Sequence, residues 1–287
     1  MRLATILTPA GPRAAIHTGD HYVDLYASDL RLPQTLRGLL AAGPEALKSA
    51  AATAESRIAI KHPAANIRLL APIPDPSKIV CIGLNYRDHA IEGSKAIPTE
   101  PVVFAKFPNA LIGHEGVIKL PAVSQKVDYE AELVVVIGRQ VRNIDAEHAL
   151  SCVAGYTVGH DVSARDWQFR GEERQWTIGK TFDTFAPMGP HLVTADEVPD
   201  PQSLPVQLRL NGQVMQQSNT REFIFPVATL IAHLSKIMTL EPGDCIFTGT
   251  PPGVGAARKP PVWLKPGDEV EVEIAGLGVL RNTVQAE

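Results

Sequence analysis

Along most of this chain the apolar residues come in short runs broken by Gly, Pro and Asn, the pattern of a strand-rich protein. Runs at residues 78–82, 102–105, 130–137, 156–162, 206–210, 245–248 and 269–274 predict strands. Before them, residues 3–7 and 14–17 predict two short strands. Over residues 34–54, leucines at 36, 39, 40 and 47 mark helical periodicity, and Gly43-Pro44 splits that stretch into two helices. Pro72, Pro74 and Pro76 make the next segment unfit for a helix or a central strand. The domain boundary is placed there, with a small N-terminal α/β domain over residues 1–70 and a larger domain over 71–287. Asn211-Gly212 between two runs predicts a hairpin, since both residues suit the positive φ of a type I′ turn. Residues 225–239 carry Val227, Leu230, Ile231, Leu234 and Met238 on one face and predict the clearest helix, with a shorter one over 145–150. No strand–helix–strand alternation is visible, which excludes a Rossmann or barrel-type α/β architecture and leaves an α+β, β-rich fold.

Two acidic stretches behave differently against this pattern. In residues 269–274 glutamates alternate with aliphatics throughout, the mark of a strand with one wet face. Glu130 and Glu132 instead head an unbroken apolar run, Leu133 to Ile137, so their carboxylates share one face of a strand whose continuation is interior. Two like charges crowded there resist ionisation. A divalent cation relieves that cost, and oxygen ligands suit Mg²⁺, Mn²⁺ or Ca²⁺. Asp161, closing a second apolar stretch, is the candidate third ligand.

Composition narrows the class. The net charge is −4, hydrophobic residues make up 45% and charged residues 20%, with no basic field for nucleic acid. No run approaches membrane-spanning length, and the first residues lack a signal-peptide core. Cys81, Cys152 and Cys245 are an odd number without metal or redox spacing, which argues against a disulfide framework. A soluble, cytoplasmic protein acting on a small molecule is expected.

Further chemistry is carried by four segments. His89 and Glu92 lie one helical turn apart, so that the carboxylate can orient the imidazole as a general base; a surface pair is the plainer alternative. The polar stretch over 93–101 suits a mobile lid. Arg165 and Gln168, also a turn apart, can take a substrate carboxylate and a keto oxygen; the alternative is an ion pair of Arg165 with Asp166 or Asp161. Lys180 stands among apolar and small residues, where it can stabilise an enolate or a carboxylate. After the run at 245–248, Gly249-Thr250-Pro251-Pro252-Gly253 can hold an anion through backbone N–H groups and Thr250. It lacks the closing residues of a P-loop. His114 and His160, as lone histidines, are left out of the candidate ligands.

Together, Gly83-Leu84-Asn85-Tyr86 with His89 and Glu92, Asp128 to Leu133, His160 to Asp166, Gly179 to Asp183 and Thr248 to Gly255 resemble the fumarylacetoacetate hydrolase family over roughly residues 70–285. Its sub-branch of fumarylacetoacetate hydrolase domain-containing protein two is the most similar, through Ser163 to Gln168, Gln175-Trp176 and Arg258 to Pro261. The resemblance implies a mixed β-sheet roll or sandwich as catalytic domain over 71–287, usually in a homodimer. It implies Mg²⁺ or Mn²⁺, sometimes Ca²⁺, on Glu130, Glu132 and Asp161, and a 2-oxo or enol carboxylic acid as substrate. Hydrolytic members use the dyad, here His89 and Glu92, to activate water, while the metal, assisted by Lys180, stabilises the departing enolate. Tyr86, Arg165, Gln168 and Thr250 would contact substrate, with Arg170, Arg174, Arg221 and Lys106 as candidate extensions of the anion site. The leading expectation is a metal-dependent hydrolase of acylpyruvate-type 2,4-dioxo acids. Oxaloacetate-type decarboxylation or hydroxymuconate-type isomerisation on the same site is the alternative, and a non-catalytic dicarboxylate-binding protein is a third.

Overall fold

A computed structural model describes residues 1–92, 96–172 and 175–287 of the chain. The first residues of the expected lid, Gly93 to Lys95, and the candidate Arg174 lie outside that set. The fold is α+β and strand-rich, with 37% of residues in strands and 25% in helices.

Among the described residues a mixed main sheet of twelve strands runs through the whole chain. At its centre the strand Ala131–Ile137 is buried at every position. It pairs antiparallel with Val153–His160 on one side and with Cys245–Phe247 on the other. Cys245–Phe247 runs parallel to Ile79–Gly83, which pairs with Val102–Lys106 at the edge. Strands buried on both faces read as continuous apolar runs, which is why these are visible in the sequence.

Ala186–Thr194 is a central strand that the apolar pattern does not predict, because Pro187, Gly189 and Pro190 interrupt it. It pairs with Val153–His160 and also with Arg2–Thr8, where Leu3 stands opposite Leu192. The strands of the first seventy residues, Arg2–Thr8, Gly11–Thr18 and His21–Asp24, thereby continue the same sheet. The two expected helices, Leu36–Ala41 and Pro44–Glu55, follow them. Pro44 starts the second at the position where its missing N–H costs nothing.

A second sheet, in the order Gln213–Asn219, Pro205–Leu210, Glu269–Ile274, Gly278–Ala286 and Val117–Leu120, packs against the main one. Val206, Leu208, Val270, Val272, Ile274, Leu280 and Val284 face inward. On its outer face Glu271 and Glu273 pair with Arg281 and Arg209, as the alternating pattern anticipates. Asn211 (φ 52°) and Gly212 (φ 78°) turn the expected hairpin. The helix Val227–Ile237 buries Val227, Leu230, Ile231 and Leu234.

Gly159, opposite Glu132, stands where neighbouring side chains leave no room for a Cβ. A Cβ there would sit 2.4 Å from Val134 Cγ2 and 2.7 Å from Phe247 Cε1. Gly159→Ala is expected to cost about 1–3 kcal/mol through overpacking. Urea unfolding checks this, and an unchanged midpoint would contradict the packing described.

Candidate functional site

The antiparallel register of the two central strands assembles the site. Ala131 pairs with His160, so Glu130 and Asp161 are the next residues at one end of the ladder, and the Asp161 amide donates to the Glu130 carbonyl (2.9 Å). Glu132, two residues along, points to the same side as Glu130. All three acids are buried, and one ligand oxygen from each lies within 4.8 Å of the others.

Buried cations hold two of these carboxylates. Lys180 Nζ donates to Glu130 Oε2 (2.6 Å) and to Asp161 Oδ2 (2.7 Å). Arg165 Nη2 donates to Glu130 Oε1 (2.6 Å) and Nε to Asp128 Oδ2 (2.8 Å). Lys106 Nζ lies 2.6 Å from Asp161 Oδ1 and donates to the carbonyls of Val162, Lys180 and Phe185. Among the described residues Glu132 accepts only a backbone bond, from Gly249 N (2.9 Å). In this cluster four carboxylates therefore face three cations.

The proton affinities follow from that arrangement. Burial favours the neutral form of Glu130, but Arg165 and then Lys180 outweigh it and hold the carboxyl well below its usual range. Burial acts first on Glu132 too, and there the charges of Asp161 and Glu130 add to it, pushing the carboxyl well above its usual range. Burial would lower Lys180, yet Asp161 and Glu130 raise it. A buried carboxyl whose charged form lacks positive partners, in an all-oxygen donor set, fits a hard divalent cation. Glu130, Glu132 and Asp161 are the residues that would hold it.

One cleft is lined by Glu130, Glu132, Asp161, Lys180, Arg165, Gln168, Thr250 and His89. His89 rides on the helix Arg87–Glu92, and its Nδ1 stands 3.2 Å from Glu92 Oε2. Glu92 Oε1 also accepts from Gly253 N (2.9 Å). Burial raises the Glu92 carboxyl, but these two contacts bring it below its usual value. Asp88 fixes the same helix by accepting from the His89 amide and from Ser218 Oγ. At the start of this segment Leu84 has φ 54°, a costly conformation for a leucine. Buried Asn85 holds the turn through Thr248 and Phe225.

Several other sequence candidates already have partners within the protein. The guanidinium of Arg165 is engaged by Asp128, Glu130 and Gln168, rather than by Asp166 or Asp161 as in the alternative. Asp166 instead accepts from Ser124 and from the Gln125 amide. Tyr86 is fully buried edge-on against Phe223, behind the cleft. Thr250 Oγ1 accepts from Gln216, which also accepts from the Ala131 amide. Lys106 is buried against Asp161 and three carbonyls. Arg170 lies over the ring of Trp167. His160 is buried, neither ring nitrogen meets a hydrogen-bond partner among the described residues, and burial followed by Lys106 pushes its pKa down to about 3.

Asp128, with no role in the sequence reading beyond its motif, accepts from Gly255 N (2.6 Å), Ala256 N (3.1 Å) and Arg165. It binds the glycine-rich loop to the charged cluster. The cleft also has an apolar wall, Ile82, Leu84, Phe104, Phe169 and Trp176. Gln175-Trp176 is visible as a motif, but its place in the cleft depends on packing between distant segments.

Comparison with known proteins agrees with this architecture. The family described as fumarylacetoacetate (FAA) hydrolase C-terminal matches residues 78–285. The chain is 48% identical to oxaloacetate tautomerase fahd2, mitochondrial, of Xenopus laevis, covering 99% of this chain and 90% of that protein. It is 46% identical to oxaloacetate tautomerase FAHD2A, mitochondrial, of Homo sapiens, covering 99% and 91%. Its structure is similar to fumarylacetoacetate hydrolase from Exiguobacterium antarcticum, with TM-score 0.87, 35% identity and 100% of each chain covered. It is also similar to 2-hydroxyhepta-2,4-diene-1,7-dioate isomerase from Mycobacterium marinum, with TM-score 0.79, 34% identity and 100% and 99% covered. The expectation of a cytoplasmic protein does not stand, since these curated relatives carry mitochondrial in their names; composition and cysteine usage do not separate two reducing compartments. Among the described residues no helix is long and apolar enough to cross a membrane. With the family match over most of its length and such identity over nearly all of it, the chain belongs to the fumarylacetoacetate hydrolase family of enzymes.

Proposed function

We propose that this enzyme interconverts the keto and enol forms of a short 2-oxo acid of the oxaloacetate class. The observation that carries the reading is the convergence, in one cleft, of the undercompensated acid triad and the His89–Glu92 pair. Relatives named oxaloacetate tautomerase, 46–48% identical over 99% of the chain, favour this substrate class over the acylpyruvates expected from sequence.

Keto–enol exchange breaks the C3–H bond and forms an O–H bond on the 2-oxo oxygen, with no net oxidation. A divalent cation, Mg²⁺ or Mn²⁺, would supply the Lewis acidity that makes the C3 proton removable. Glu92 holds His89 through Nδ1, which leaves Nε2 to take and return that proton. Lys180 keeps Glu130 and Asp161 ionised and in place, and Arg165 does the same for Glu130 and Asp128. Gln168 and Thr250 line the cleft where the acid's oxygens would lie. A homodimer belongs to the same reading.

Hydrolysis of acylpyruvates is the second reading, favoured by the same dyad, because His89 held by Glu92 can take a proton from water as well as from carbon. Product analysis separates the two. With metal-stripped protein reloaded with Mn²⁺, decay of the oxaloacetate enol absorbance is expected to accelerate without release of pyruvate. Pyruvate and carbon dioxide would instead mark a decarboxylase, and pyruvate with a carboxylic acid from acetylpyruvate a hydrolase. His89→Ala is expected to slow the reaction about 10²–10⁴-fold, and full activity in that variant would remove the dyad from the mechanism.

The Glu132 carboxyl sets the pH dependence of metal binding. Burial and the charges of Asp161 and Glu130 raise its proton affinity, so a proton and a cation compete for the same carboxyl. Apparent Mn²⁺ affinity is therefore expected to strengthen as pH rises through that titration and to weaken as pH falls. Calorimetry in buffers of different ionisation enthalpy should detect the released proton, and Glu132→Gln should abolish the release. Equal proton release in that variant would place the proton elsewhere.

A further inference from the structure

One buried side-chain amide links the second sheet to the cleft. Gln216 lies on the edge strand Gln213–Asn219 and is 1% exposed. The register of that strand shifts at Met215, with Leu208 opposite Gln216 and Arg209 opposite Val214. The extra residue breaks the alternation of the pleat, so the neighbours Met215 and Gln216 are both buried. Gly253 admits this bulge, since a Cβ there would lie 2.1 Å from the Met215 carbonyl oxygen.

Gln216 Oε1 accepts from the Ala131 amide (2.8 Å), and Nε2 donates to the Pro251 carbonyl (2.8 Å) and to Thr250 Oγ1 (2.9 Å). Two of these partners have a fixed character. A backbone N–H only donates and a backbone carbonyl only accepts, so the side-chain amide has one possible orientation. Thr250 Oγ1 is therefore an acceptor toward Gln216. Its own hydrogen is left over, because among the described residues Thr250 Oγ1 donates to no group. Thr250 lines the cleft.

We propose that Gln216 is a positioning residue: it sets the Thr250 hydroxyl as a hydrogen-bond donor toward the cleft, where it takes an acceptor oxygen, carboxylate or enolate, of the bound acid. The inference rests on the enolisation reading above and adds how the site recognises its substrate's oxygens. A free hydroxyl is donor and acceptor at once and rotates to suit its surroundings. Held from one side by an N–H, it is ready to give its hydrogen to an anionic oxygen, a charge-assisted bond stronger than a neutral one. The same amide grips Ala131, the residue between Glu130 and Glu132, so the hydroxyl and the two acids are held in one frame.

The test is a double-mutant cycle on the full chain at saturating Mn²⁺, following enol decay of oxaloacetate. Thr250→Val, which keeps the shape and removes the hydroxyl, is expected to raise KM about tenfold, as for one lost hydrogen bond to a charged group, with a smaller change in kcat. Thr250→Ser should recover most of that loss. Gln216→Met, which fills similar space without the amide, should raise KM about three- to tenfold in the otherwise native chain and by less than about twofold in the Thr250→Val background. Gln216→Glu, whose carboxyl offers at most one hydrogen in place of two, carries the same expectation and replaces Gln216→Met if that variant fails to fold. Losses that add in the double variant would show that Gln216 acts on the fold and not through Thr250, and an unchanged KM in either single variant would remove the donor. Both results overturn the proposal and leave the enolisation reading standing. Absence of oxaloacetate enol turnover by the wild type would overturn the enolisation reading itself, and the role of Gln216 with it.

Discussion

Everything around the cleft depends on the burial of four carboxylates and three cations at the ends of two neighbouring strands. Each charge carries a desolvation cost of several kcal/mol, recovered only if its partners are close and well aligned. The cluster meets that condition by sharing. Lys180 serves Glu130 and Asp161, Arg165 serves Glu130 and Asp128, and Lys106 serves Asp161 while gathering the carbonyls of Val162, Lys180 and Phe185. Loss of one member leaves an uncompensated charge in the interior, so the electrostatics and the local backbone fold stand or fall together. Glu132 is the exception, with one amide bond among the described residues and two like charges nearby, a deficit that a divalent cation would relieve.

The loops that close the cleft are held by the same groups that do chemistry or support it. Gly249 (φ 105°) brings its amide to Glu132, and a Cβ there would fall 2.8 Å from Asn85 Cβ. Gly253 donates to Glu92, and Gly255 donates to Asp128. In sequence the glycine-rich segment reads as a cradle for an external anion. Its amides at these three positions serve carboxylates of the protein itself, for the same reason that such amides suit phosphate. The strained turn at Leu84 persists because Asn85 is bonded on both sides of it.

What is legible in the sequence is what depends on local periodicity. Glu130 and Glu132 stand out because an i, i+2 pair heads a run that does not alternate, and His89 with Glu92 because one helical turn separates them. Asp161 is found because it ends the strand opposite. The partners of Lys106 and Arg165 are not legible, since nothing local says that a lysine will be buried among three carbonyls or that Arg165 will reach back across more than thirty positions to Asp128 and Glu130. Ala186–Thr194 escapes the pattern because prolines and glycine hide a strand whose order comes from its neighbours. The aromatic wall joins residues from three separate segments, and periodicity within any one of them says only that Phe104 or Trp176 is half buried.

The charged and the apolar lining of the cleft come from different parts of the structure. The charged floor sits on strand ends, where the register of a ladder fixes carboxylate positions firmly, and the aromatic wall sits on an edge strand and a short helix. The two meet in Trp176–Lys180, where one helical turn carries a ring at one end and a buried cation at the other. Gly83 lets the ring approach its strand, and Gly179, whose Cβ would lie 2.4 Å from the Gln168 amide nitrogen, lets the lysine end seat against the neighbouring helical turn. Two close approaches at glycines thus seat the two ends of this helix. A side chain at either glycine would displace the ring or the lysine, and with the lysine the acids that it holds.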